Sequence, residues 1–181
     1  MNALPEFWAA VLGWLDLIAG RKDAADKFNL SRAGLVNATG AYFAVVLLSL
    51  AVASALGHNP GLVGTLVAIL FNAIPLAGIW LVILGTAALL RPTSGPLGLL
   101  VPVTYAMALI LVIRVPLQVL APELFGNALL GALCFMLYRE ARGVARLGIG
   151  SSLAFAALSA MTLVVVTIGV YMLATGGAGI G

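Results

Sequence analysis

Long apolar runs alternate with short polar connectors along most of the chain, from about residue 34 onward. Most runs are long enough for a helix to cross a bilayer, which takes about 20 residues. A β-barrel would instead show short segments of alternating polarity. The pattern predicts an all-α, polytopic helical membrane bundle of about five transmembrane helices. The predicted spans are Leu35–Leu56, Leu62–Leu90, Leu97–Ala121, Leu124–Tyr138 and Ser151–Ala174.

Residues 3–19 differ from these runs because two acids, Glu6 and Asp16, interrupt them. One helical stripe is apolar and has indoles beside it, which is typical of a helix lying at the membrane surface. We therefore predict an N-terminal interfacial amphipathic helix with its indoles at head-group level. The alternative is a sixth, shorter span, with the N-terminus outside. The stripe is Phe7, Val11, Leu15 and Ile18, flanked by Trp8 and Trp14.

The chain divides into three predicted parts. Residues 1–33 hold the interfacial helix and a polar, basic cytoplasmic collar, in which Asp23 and Lys27 are spaced for a helical ion pair. Residues 34–175 form the transmembrane domain, and residues 176–181 form a glycine-rich flexible tail. Within the domain, the long run at 62–90 contains Pro75, so we expect one kinked or tilted span. Two half-helices in a re-entrant hairpin are the alternative.

The charges are few and lie on one side of the predicted spans. Only 8% of residues are charged against 63% hydrophobic, and eight of the nine Lys and Arg residues lie in connectors on the same side. Because cytoplasmic loops carry the positive charge, we expect a cytoplasmic N-terminus and an outer C-terminus in an inner or plasma membrane. Lipid head groups are the expected contacts of Arg21, Lys22, Lys27, Arg32, Arg139, Arg142 and Arg146, with Arg91 in another connector on this side.

Arg114 is the one cation inside a predicted span. An arginine in a membrane helix usually faces the bundle or a wet cavity. We predict a polar cluster of Arg114, Asn72 and Asn127, joined by Glu123, in the outer half of the bundle. The alternative is that Arg114 reaches the outer head groups or Glu123 by extending its side chain.

Small residues recur at every fourth position in two predicted spans, which lets another helix approach closely. These predicted helix-packing residues are Ser49, Ala53 and Gly57, and Ser152, Ala156 and Ala160. By contrast, the residues that catalysis needs are scarce. His58 is the only histidine and Cys134 the only cysteine. We therefore expect no catalytic residues, metal, cofactor or nucleic-acid partner, and an enzyme is the least favoured class.

The connector Leu137-Tyr138-Arg139-Glu140-Ala141-Arg142-Gly143-Val144-Ala145-Arg146-Leu147-Gly148, followed at once by an apolar span, resembles the matching loop of Yip-type five-span membrane proteins. These are bacterial relatives of the Rab-interacting membrane proteins. The resemblance implies a polar cytoplasmic N-terminal segment, five spans and a very short outer C-terminus. It carries over no functional residue.

These features favour a membrane scaffold, assembly factor or accessory subunit that works through helix–helix contacts in a larger membrane complex. Its expected partners are membrane lipids and another membrane protein or further copies of the chain. The alternative is a small oligomeric transporter or channel that uses Arg114 to select an anionic solute. A lipid-binding or membrane-shaping role is third and rests on the interfacial helix and the basic collar.

Overall fold

The computed structural model consists of helices joined by short connectors in the part of the chain that it describes. It describes residues 3–21, 23–57, 61–120 and 122–176, with side chains except at 3, 115–127, 171 and 173–176. The predicted tail, His58 and Lys22 therefore lie outside the described residues, apart from Gly176. The helices are α1 (Ala3–Ala19), α2 (Arg32–Ala55), α3 (Gly61–Leu90), α4 (Leu97–Leu120), α5 (Pro122–Gly143) and α6 (Ile149–Gly176), and a 3-10 turn covers Ala24–Lys27.

Four helices in the described chain are long and apolar enough to cross a membrane, as expected of a multi-pass membrane protein. Their qualifying segments are Arg32–Ala55, Gly61–Leu90, Leu97–Arg114 and Ile149–Val170. The helix α5 is not among these four, but it packs along both α4 and α6.

The helix α4 lies at the centre of the bundle. Its apolar segment is 61% buried, against 22%, 17% and 22% for those of α2, α3 and α6. It packs mainly against α2 and α5, and α6 packs between α5 and α3. Since successive long helices run in opposite directions, residues 20–33, 91–96 and 139–148 share one end of the bundle. We call it the basic end because of its arginines, and the opposite end the neutral end.

The helix α3 is a single unbroken helix of 30 residues, with Pro75 inside it. The alternative of two half-helices in a hairpin is therefore wrong. At 1.5 Å per residue the helix is about 45 Å long, which exceeds the hydrocarbon thickness of about 30 Å. Two polar contacts tie α3 to its neighbours. The Tyr42 hydroxyl donates to the Asn72 carbonyl at 2.9 Å, and the Trp80 indole donates to the Thr104 hydroxyl at 3.1 Å.

The helix α1 packs against the basic end of the bundle, where it contacts α2, α4 and α5. Its buried apolar side chains are Ala10, Trp14 and Leu17. The Trp14 indole donates to the Pro102 carbonyl of α4 at 3.1 Å and meets the Phe28 ring edge-on. Trp14 therefore lies inside the protein, and the expectation that both indoles face head groups is wrong for this residue. Trp8 is 62% exposed.

A close backbone approach fixes the start of α2. Ser31 caps the helix by accepting from the Gly34 amide at 3.1 Å, and Gly34 is buried against the carbonyl of Asn29. A Cβ at this position would overlap that carbonyl oxygen, whereas a Cβ at Gly40 would meet no described atom within 4 Å.

Replacing Gly34 by alanine is therefore expected to lower the free energy of unfolding by about 1–3 kcal/mol, because the backbone must shift to admit the methyl group. Gly40→Ala is the matched control in the same helix. Its higher helix propensity should raise stability by up to about 1 kcal/mol. Unfolding titrations of both variants in mixed micelles measure the difference, and equal effects would contradict the close approach.

Candidate functional site

The basic end contains a cavity of ≈ 470 Å³ between α1 and the end of α5. Four arginines line it, one from the segment after α1 and three from α5 and its connector. No carboxylate is among the lining residues that the structure describes. The four are Arg21, Arg139, Arg142 and Arg146, and Leu17, Gly20 and Gly143 complete the wall.

Backbone contacts hold two of these arginines in place. The Arg139 Nε donates to the Leu17 carbonyl at 2.8 Å, and the Arg142 Nη1 donates to the Leu147 carbonyl at 2.9 Å. Leu17 lies in the last turn of α1, where a cation is favourable because helix carbonyls are left unpaired. The Arg139 guanidinium also lies against Gly20, whose φ of +81° suits glycine. Arg139 thus joins the end of α5 to the end of α1.

Arg146 has a backbone conformation that arginine seldom adopts. Its φ is +55°, and the Leu147 amide donates to the Ala141 carbonyl at 2.9 Å across it. This is the position after a helix where glycine is the usual residue. The left-handed region costs about 1–2 kcal/mol for a residue with a Cβ. Arg91, which follows α3, has the same kind of conformation with φ +45°, but does not line the cavity.

Asp16 is the acid that pairs with one of the cavity arginines, and two cations neutralise it. Lys27 and Arg21 both form ion pairs with it, the latter at 2.9 Å. The hydrogen bond from Lys27 holds the pKa of Asp16 below its ordinary value, and Arg21 adds to this. Lys27 therefore pairs with Asp16, and the ion pair that the spacing of Asp23 and Lys27 predicts is not the one observed.

Glu140 is fully buried at the end of α5, beyond the predicted span Leu124–Tyr138. Its carboxyl group lies towards the Val103 backbone of α4, and neither oxygen makes a hydrogen bond of ordinary geometry with a described residue. Burial raises the pKa of Glu140 well above its usual value, and only the Val103 amide acts in the other direction. The buried site therefore disfavours the charged form of this carboxyl group.

Glu140 is hard to recognise from the sequence as a buried acid because it lies between two arginines in an apparently exposed connector. The helical spacing of the buried Leu133, Leu137 and Val144 would have placed it on the inner face.

Part of the predicted polar cluster lies in the described region. The Asn72 side chain donates to the Ala68 carbonyl of its own helix at 2.8 Å, and its backbone carbonyl accepts from Tyr42. Arg114 is exposed, and its charge acts on the Tyr42 hydroxyl. The side chains of Asn127 and Glu123 lie outside the described residues. Tyr42, which was not predicted to belong to the cluster, thus interacts with both of the other members.

The predicted helix-packing residues have different surroundings. Ser152 and Ala156 are buried, and Ala160 is half-buried. Ser49 and Ala53 are half-buried on α2, whereas Gly57 lies beyond the end of that helix, is exposed and has a φ of +90°.

A further small-residue stripe, which the sequence analysis missed, lies on α5. We call it the α5 stripe, and its four residues are all exposed: Ala128, Gly131, Ala132 and Phe135. Their spacing of three and four places them on one helix face. A Cβ at Gly131 would meet no described atom within 4 Å. Small side chains would let another helix come close to this face.

The described part of the chain has no cluster of three or more His, Cys, Asp or Glu residues that could hold a metal ion. Cys134 is a free, half-buried thiol on α5.

No known protein family, curated protein or solved structure matches this chain.

Proposed function

We propose that this protein is an integral membrane scaffold, assembly factor or accessory subunit that acts through helix–helix contacts in a larger membrane complex. The α5 stripe is the observation that carries the proposal. It presents a glycine and two alanines outward next to Phe135, on a helix whose opposite face packs in the bundle. Small residues on an exposed membrane helix are the usual surface for a second helix.

The proposed topology has five spans, with α5 as the fourth, in an inner or plasma membrane. The excess of arginines at the basic end supports a cytoplasmic N-terminus and an outer C-terminus. The resemblance of residues 137–148 to the Yip-type loop supports the same arrangement. In this topology α1 lies on the cytoplasmic side and contacts the bundle through one face while Trp8 faces outward.

Native mass spectrometry after gentle solubilisation from the natural host tests the proposal. We expect the protein to be detected in a complex with other membrane polypeptides in a fixed ratio. Ala132→Leu should remove most of the partner because the larger side chain fills the α5 stripe. Ala157→Leu is the matched control, since it enlarges an exposed alanine on α6.

Two outcomes would overturn the accessory role. One is detection of the protein only as a closed homo-oligomer, without other polypeptides. This result would favour the alternative of an anion transporter that uses Arg114. The other is equal loss of the partner in both variants, which would remove the α5 stripe from the contact.

A further inference from the structure

We propose that the cavity at the basic end binds a phosphate group with two negative charges, as in a phosphomonoester or a pyrophosphate. The group would be presented by a lipid head group or by a small soluble metabolite. This site goes beyond the proposed scaffold function, and it differs from a general attraction of basic residues to an anionic membrane surface. The difference is that four arginines line one cavity.

The charge of the cavity suits a doubly charged anion. Four arginines bring four positive charges to the cavity, and no described carboxylate lies in its wall. Asp16 is occupied by Lys27 as well as Arg21. Glu140, the one acid of the arginine-rich connector, is buried against α4 and does not line the cavity. Because Arg21 is paired with Asp16, the uncompensated charge of the cavity comes from the other three arginines, and three such charges favour an anion of more than one charge.

The geometry of the arginine side chains also suits a phosphate group. A guanidinium has five N–H donors in a planar fork that matches the oxygens of a phosphate. Arg139 and Arg142 each use one donor group to hold a backbone carbonyl, so their orientation is set before any ligand binds. Their other donors remain for the ligand. Such preorganisation lowers the entropy that is lost on binding.

The volume of the cavity is large enough for such a ligand. A volume of ≈ 470 Å³ lies within the range of about 300–1,000 Å³ that is typical of ligand pockets. It exceeds what a single small ion occupies, since one water takes about 30 Å³. The cavity thus has room for a phosphate together with the group that carries it, such as a head group or a small sugar.

The left-handed backbone conformation of Arg146 also points to a function at this position. A glycine would adopt its left-handed conformation without strain, yet an arginine stands there with its side chain in the cavity wall. Strained residues of this kind concentrate at functional sites. The conformation also supplies a sharp experiment, because Arg91 has the same strain at the same end of the bundle but does not line the cavity.

The experiment compares Arg146→Gly with Arg91→Gly in the full-length protein, purified in an uncharged detergent. Each variant removes one positive charge and one strained residue. Thermal unfolding is followed while inorganic pyrophosphate or short-chain phosphatidic acid is added, with short-chain phosphatidylcholine as the neutral probe. We expect saturable stabilisation of the unaltered protein, about tenfold weaker binding by Arg146→Gly, and unchanged binding by Arg91→Gly.

Every outcome of this experiment either supports the phosphate site or overturns it. Equal weakening in both variants would mean general surface attraction and would overturn the site, as would unaltered binding by Arg146→Gly or no stabilisation by either phosphate probe. Binding of phosphatidic acid alone supports a lipid source, and binding of pyrophosphate in competition with it supports a soluble source. Arg146→Asn repeats the test with another residue that tolerates the left-handed region.

Discussion

Replacing Trp14 by alanine is expected to detach α1 from the bundle and to lower the free energy of unfolding by about 3–5 kcal/mol. Trp14 is 1% exposed, its indole N–H holds the Pro102 carbonyl, and its ring packs on Phe28. Removing the ring takes away both the packing and the polar link to α4. Unfolding titrations in mixed micelles measure the loss, and limited proteolysis near residues 20–31 reports the release of α1.

Trp8→Ala is the control for this experiment. Trp8 lies on the same helix but is 62% exposed, so its removal should change the free energy of unfolding by less than about 0.5 kcal/mol. If the two tryptophans had equal effects, α1 would not be docked through the face that contains Ala10 and Leu17.

The second large effect is a loss of stability that depends on Glu140 and sets in as the pH rises above about 5. Burial raises the pKa of Glu140 in the folded protein, while the unfolded chain has the ordinary value near 4.5. As the pH rises above that value, the unfolded chain releases the proton and the folded protein keeps it. Stability therefore falls, by at most about 1.4 kcal/mol per pH unit, until the pH reaches the pKa of the folded state.

Glu140→Gln should remove most of this slope, because glutamine keeps the shape and cannot ionise. Asp26→Asn serves as the control, since Asp26 is exposed and its replacement should leave the slope unchanged. The lowered pKa of Asp16 acts below about pH 4, outside this window. Free energies of unfolding across pH 5–8 give the three slopes. A slope of similar size in Glu140→Gln would show that Glu140 is not the buried acid responsible.

The helical class and the long apolar helices follow directly from the sequence, since apolar runs of this length have few other structures open to them. By contrast, the sequence did not predict which face of α1 packs against the bundle. The helix is apolar nearly all round, so the stripe of Phe7 and Val11 and the stripe of Ala10 and Trp14 are equally good on pattern alone. Only the packing against α4 decides between them.

The cavity could not be predicted from the sequence either. The four arginines were visible as a basic collar and a basic connector, but Arg21 and Arg139 are far apart in the chain. They meet because Leu17 packs on Gly143, where a Cβ would lie 2.7 Å from the leucine methyl group. Tertiary contacts of this kind leave no local signal, so the pattern of charges indicated a membrane-facing surface and not one cavity lined by four arginines.

The position of α1 has a consequence for how the protein is made. The bonds that fix it join Trp14 to a residue 88 positions later and Leu17 to one 122 positions later. Because α1 is synthesised before α4 and α5, neither bond can form until both of these helices have been made. A chain that stops short of Arg139 therefore lacks the bond that joins the end of α1 to α5, so the docking of α1 is completed only after most of the bundle has been synthesised.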